Sequence, residues 1–77
     1  MPPIYESLVA EARVLRSLPD PEVARSIRLR AGLSRERIAQ AVGVSRATVA
    51  NWETGSSLPR GANRVAYARL LAELADA

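Results

Sequence analysis

Three observations on this 77-residue chain predict an all-α fold, a compact five-helix bundle. Apolar residues recur at the three- and four-residue spacing of helices, and no segment reads as a strand. Proline or glycine interrupts the pattern at Pro19 to Pro21, Gly32, Gly43 and from Gly55 to Pro59. The loops left between the helices are of the roughly 2–6 residues usual in compact bundles.

The first helix is expected from about Pro3 to Leu18, with Ile4, Leu8, Val9, Ala12, Leu15 and Leu18 as its apolar stripe. Pro19-Asp20-Pro21 stops it. Asp20 is expected to cap the second helix. Pro21 takes its first position, where a missing N–H does no harm, and Glu22 in the first turn suits the helix dipole. Val23, Ala24, Ile27 and Ala31 are expected to face inward, and Gly32 to end the helix. Ser34 caps a third helix, Arg35 to about Val42, and Ser45 caps a fourth, Arg46 to about Glu53. The fifth begins between Pro59 and Asn63 and runs to about Ala75, with Tyr67, Leu70, Leu71 and Leu74 turned inward. One domain is expected over residues 1–77: an additional helix in 1–19, a core in 20–58 and a closing helix in 59–77. A chain this short buries only about 60% of its unfolded surface, so aliphatic packing must be close.

The composition excludes several functions. There is no cysteine and no histidine, so no disulfide, thiolate metal site or histidine base can form. No metal and no cofactor is expected. Nucleophile–base sets, a glycine-rich phosphate loop and paired carboxylates are all missing, so an enzyme is not expected. No apolar run approaches the roughly 18–20 residues of a membrane span, and the first residues do not read as a signal peptide. A cytoplasmic, nucleoid-associated location is expected. The net charge is +3 and all eleven basic residues are arginine. The two ends of the chain cancel their own charges. The excess lies in residues 20–60, where Arg25, Arg28, Arg30, Arg35, Arg37, Arg46 and Arg60 oppose Asp20, Glu22, Glu36 and Glu53. A local basic patch is the footprint of a phosphate-binding surface, although a solvated basic face has the same composition.

The stretch Arg35 to Gly55, RERIAQAVGVSRATVANWETG, carries the most information. Ala39 is small where two helix axes must cross closely. Gly43 sits where the turn needs positive φ, a conformation that costs other residues roughly 1 kcal/mol or more. Ile38, Val42, Val44, Val49 and Trp52 fall on inward sides, leaving Arg46, Ala47, Ala50 and Asn51 outward. These residues resemble the helix-turn-helix, residues 35–54 here, of the phage repressor and Cro-like (XRE-type) family of transcription regulators. The resemblance covers about Val23 to Leu74. It implies a lambda-repressor-like DNA-binding fold, with double-stranded DNA as the partner and the fourth helix in the major groove.

On that reading Arg46, Ala47 and Asn51 are the candidate base contacts. Arginine can bind guanine O6 and N7 in two parallel bonds, and asparagine can read adenine. Ala47 either meets a thymine methyl or is small to let the helix approach. Arg35 stands where family members often carry a phosphate-binding glutamine, and arginine binds phosphate better. Ser45 and Thr48 are shared between capping and phosphate contact, and Thr54, Ser56, Ser57 and Arg60 are candidates for the other backbone strand. Glu53 is acidic at the end of a DNA-facing helix, which neither dipole nor phosphate favours. A compensating cation is expected, and the resemblance points to Arg28 as a structural ion-pair partner.

The resemblance implies a sequence-specific regulator of the Cro or repressor type, from a phage or prophage. An antitoxin of a toxin–antitoxin pair uses the same domain, and a protein-interaction module on the fold is a third reading. The additional first helix either packs on the core or supplies a surface for a protein partner. A homodimer interface is expected either at Ile4 and Tyr5 or along the Leu70-Leu71-Leu74 edge.

Overall fold

The computed structural model describes residues 4–77, the side chain of Ile4 excepted. It contains α1 (Ile4–Arg16), α2 (Pro21–Arg30), α3 (Arg35–Val42), α4 (Arg46–Thr54) and α5 (Gly61–Asp76), with no strand among the described residues. Pro3, expected to open the first helix, and the Ile4 side chain, expected on its stripe and at a dimer face, lie outside the described residues.

Each helix end has a local cause. Ser34 Oγ accepts the Arg37 N–H at 3.2 Å to start α3, and Ser45 Oγ accepts the Thr48 N–H at 3.1 Å to start α4. Gly43 closes α3 at φ 89°, and the carbonyl of Ala39 accepts both the Gly43 and the Val44 N–H. That left-handed residue reverses the chain within three positions and aims α4 across α3. Asp20 differs from expectation. It occupies the cap position of α2 but makes no side-chain hydrogen bond there. Its carboxylate stays in solvent, where water competes for it, and Pro21 already removes one of the N–H groups that a cap would satisfy.

The core is one cluster of Ala24, Ile38, Ala39, Val49, Trp52, Tyr67 and Leu71, edged by half-buried Leu18, Ile27, Leu33, Val42, Val44, Leu70 and Leu74. Trp52 and Tyr67 join α4 to α5 with ring centroids 4.8 Å apart and planes tilted by 45°, a favourable aromatic geometry. Ala68 on α5 is fully buried as well. Helix α4 packs on α2 and α3, α5 lies across α2 and α3, and α1 packs against α5.

Two expected inward faces are corrected. On α2, Val23 is 49% exposed and Ala31 is also exposed, while Ala24 and Arg28 are buried. Turning Arg28 inward towards a carboxylate fixes the rotation of this helix and carries Val23 out. On α1, Leu8 and Val9 are exposed, as is Ala12, whereas Val14, Leu15 and Leu18 are half-buried. The helix is apolar over a broad arc, and only the part through Val14, Leu15 and Leu18 is covered.

Candidate nucleic-acid interface

Helix α4 is held by its inner face. Val49, Trp52 and Glu53 are buried, so Arg46, Ala47, Ala50, Asn51 and Thr54 are turned to the other side. Arg46, Ala47, Asn51 and Thr54 are exposed and Ala50 is half-buried. Arg35 at the start of α3 reaches the same surface. Together Arg35, Arg46, Ala47 and Ala50 line an open depression of about 430 Å³, with two methyl groups on its floor and two guanidinium groups beside it. Short side chains at Ala47 and Ala50 leave room for a bulky anionic surface to come close to the backbone of α4.

Under this surface lies a three-member charge cluster. Arg28 Nε donates to Glu53 Oε2 at 2.6 Å and Nη2 to Oε1 at 3.0 Å, a two-bond fork. Arg28 Nη1 donates to the Leu33 carbonyl at 3.0 Å. Arg35 Nε donates to the same Oε1 of Glu53 at 3.0 Å. The Glu53 side chain is 1% exposed, Arg28 8% and Arg35 31%. Burial alone would push the Glu53 carboxyl upward, but the hydrogen bonds and charges of Arg28 and Arg35 together outweigh it and hold the group below its ordinary range. The Arg28 guanidinium is pushed up by its bond to Glu53, against the effect of burial. Two positive charges therefore share one carboxylate, leaving a net positive charge at the edge of the α4 surface.

The hydroxyl residues are already bonded locally. Ser45 Oγ and Thr48 Oγ1 lie 2.8 Å apart. Thr54 Oγ1 donates to the Asn51 carbonyl at 3.2 Å, lies 2.8 Å from Ser56 Oγ and accepts the Ser56 N–H at 3.4 Å. Each hydroxyl keeps lone pairs or a rotatable proton for a further partner. Ser57 and Arg60 are exposed beyond the end of α4, where Arg60 precedes α5 without a capping bond. The structure thus gathers Arg35, Arg46 and Ala47 around one depression and pairs Thr54 with Ser56 near the opposite end of α4. It leaves Asn51 exposed between them.

Sequence reasoning missed two features. It gave Arg35 no contact within the chain, although the turn at Gly43 brings the start of α3 beside the end of α4 and Glu53 has two oxygens to share. It also missed the environment of Tyr67. That hydroxyl is buried and has no hydrogen-bond partner among the described residues. Burial, with the nearby Glu53 charge, pushes its pKa up to about 12, and Arg28 opposes the shift.

Two short helices crossing at a glycine turn, the second locked from within and bare outside, define a helix-turn-helix protein. A helix-turn-helix family model matches residues 25–75, and the chain belongs to that family, the XRE type found in Cro and repressors. Members are DNA-binding transcription regulators rather than enzymes. Comparison with curated proteins and with solved structures gives no match. The matched segment leaves α1 outside it. No helix among the described residues is long and apolar enough to cross a membrane, and no cluster of metal-ligating side chains occurs among them.

Proposed function

We propose that the protein is a sequence-specific regulator of the repressor or Cro type that docks α4 in the major groove of double-stranded DNA. The observation that carries this reading is the depression bounded by Arg35 and Arg46 over Ala47 and Ala50. It supplies positive charge and close approach on the side of α4 that the core leaves free. Arg46, near the N-terminus of the helix, reads a guanine edge. Asn51 and Ala47 meet neighbouring bases. Arg35 binds phosphate through its Nη atoms, while its Nε bond to Glu53 fixes the plane of the guanidinium. Ser45 and Thr48 face one phosphate strand, and Thr54, Ser56, Ser57 and Arg60 the other. These backbone contacts orient the domain and carry no sequence information. The chain acts in the cytoplasm, on the nucleoid. Two copies on a symmetric operator place their recognition helices one turn of DNA apart, roughly 34 Å.

Selection of bound duplexes from a random pool, followed by anisotropy titration of the winner and a scrambled control at two salt concentrations, tests the proposal. A recovered motif preferred by about 1,000-fold or more is expected. Weak, steeply salt-dependent binding without an enriched motif would reduce the α4 surface to a nonspecific basic face.

A further inference from the structure

Helix α1 presents an apolar stripe to solvent. Tyr5 is 65% exposed, Leu8 59% and Val9 45%, and Ala12 is exposed too. Their spacing, i, i+3, i+4 and i+7, puts them on one helix face. The adjoining arc, through Val14, Leu15 and nearby Leu18, is the half-buried side, with Leu15 one heptad beyond Leu8 at the border between the two. The stripe is therefore left over after α1 has packed on α5, and it belongs to the part of the chain that the family match leaves out.

The charges beside the stripe say what covers it. Glu6 is in the first turn of α1 and Arg13 in the last. They are seven residues apart, so both lie on the same flank of the stripe. Both are exposed, and among the described residues neither has an ion-pair partner within the chain. In a parallel pair related by a twofold axis, the flank that carries Glu6 and Arg13 would lie on opposite sides of the seam in the two copies, and neither charge would find a partner across it. In an antiparallel pair related by a twofold axis between Leu8 and Val9, Glu6 of each copy faces Arg13 of the other. The two differ by about 3 Å along the axis, well within the reach of an arginine. Symmetry makes the pair twice, and the same axis sets Leu8 on Val9 and Tyr5 on Ala12.

We infer that α1 is a self-association surface, and that its partner is a second copy of this chain packed antiparallel through Tyr5, Leu8, Val9 and Ala12. The contact is small, so the association is weak, with a Kd of roughly tens to hundreds of micromolar. Because α1 packs against α5, the outer face of α4 stays free in the pair.

Sedimentation equilibrium of the full chain without DNA, up to about 1 mM, tests this, so its failure is separate from any failure of the DNA reading. The apparent mass is expected to rise with concentration from one chain towards two. Leu8→Glu puts a carboxylate into the contact and holds the chain monomeric over the whole range. Glu6→Arg or Arg13→Glu alone weakens association by about tenfold, and combining them restores it to within about threefold. These positions are exposed in the single chain, and circular dichroism checks that every variant keeps its helices. A chain that stays monomeric throughout, or one whose association ignores Leu8→Glu, overturns the inference and leaves the stripe to a different partner. Charge reversals that weaken singly but do not rescue each other overturn the antiparallel register.

Discussion

The two ends of this bundle are held by different physics. From α2 to α4, fixed chemistry decides the geometry: a left-handed glycine, two serine caps and a carboxylate shared by two arginines. From α1 to its seam with α5, half-buried aliphatic side chains do the holding, with no buried charge and no cap among the described residues. The first kind of contact is directional and fails abruptly when one partner is lost. The second is graded and yields a little at a time. The surface proposed to read DNA lies on the rigid end, and the surface proposed to bind a second copy lies on the graded one.

The largest effect is expected at the centre of the directional half. Glu53→Ala leaves Arg28 buried without its counter-charge, and truncating one partner of such a pair costs about 3–5 kcal/mol. Chemical denaturation measures it, and a loss below about half a kcal/mol would show that the cluster does not hold α4 to α2. The pH dependence carries the same information. The folded pKa of Glu53 lies below its ordinary value, so the unfolded chain takes up this proton first as pH falls. The stability contributed by the pair is complete above the ordinary carboxylate range, about 4.3, and is lost as pH drops through the lowered folded value. Glu53→Gln should be less stable at neutral pH and flatter below it.

Tyr67 bridges the two halves and is next in size. Its pKa of about 12 means that the unfolded chain ionises near pH 10 while the folded chain stays neutral. Stability is therefore full below pH 10 and falls between 10 and 12, by about 2 kcal/mol. Tyr67→Phe should remove that alkaline loss. It should cost little at neutral pH, because the buried hydroxyl has no partner to lose among the described residues. Thermal melts at pH 7 and pH 11 compare the two proteins, and equal alkaline losses would place the titration on another group.

How much of this was legible in the sequence follows the same division. A turn that needs positive φ accepts few residues, so Gly43 between Ala39 and Ser45 located α3, α4 and their crossing. Glu53 stood where a carboxylate needed a cation, and Arg28 is 2.6 Å from it. The rotation of α2 was not legible, because hydropathy ranks arginine outermost and here Arg28 is buried while Val23 is exposed. Periodicity could not say how much of the apolar arc of α1 would be covered either. It grouped Leu8 and Val9 with Leu15, yet only Leu15 is half-buried and the other two are exposed. The Arg35 contact depended on where the turn delivers the start of α3. The roles of Arg46 and Asn51 depend on a partner that is not part of the chain, and side-chain types only narrow them.

On the DNA side the comparison becomes one between Arg46, with no side-chain hydrogen bond or ion pair among the described residues, and Arg35, tethered to Glu53. Arg46→Ala is expected to weaken binding to the selected duplex by about 1–3 kcal/mol and relax the preference at one base pair. Arg35→Ala should weaken selected and scrambled duplexes alike and reduce the salt slope by about one unit. Titrations of both duplexes at several salt concentrations distinguish the two. Identical behaviour would remove the division between a reading arginine and an anchoring one.

The smallest effect is expected at the graded end. Leu71 on α5 is 1% exposed, and truncating a leucine so enclosed costs about 2–5 kcal/mol. Leu15 on α1 is only half-buried. Leu15→Ala loses part of the transfer term and leaves an open notch that water fills, rather than an empty cavity, so about 1 kcal/mol is expected. Both variants should be unfolded at a concentration where the chain is monomeric, because self-association through the exposed stripe of α1 would add its own stabilisation. Amide hydrogen exchange then gives the local view. If α1 is held only by its seam, its amides exchange through local opening well before those of α4, and Leu15→Ala accelerates α1 alone. If Leu15→Ala instead costs as much as Leu71→Ala and speeds exchange in α4 equally, the bundle opens as one unit. The contrast between its two ends would then be one of contact chemistry and not of stability.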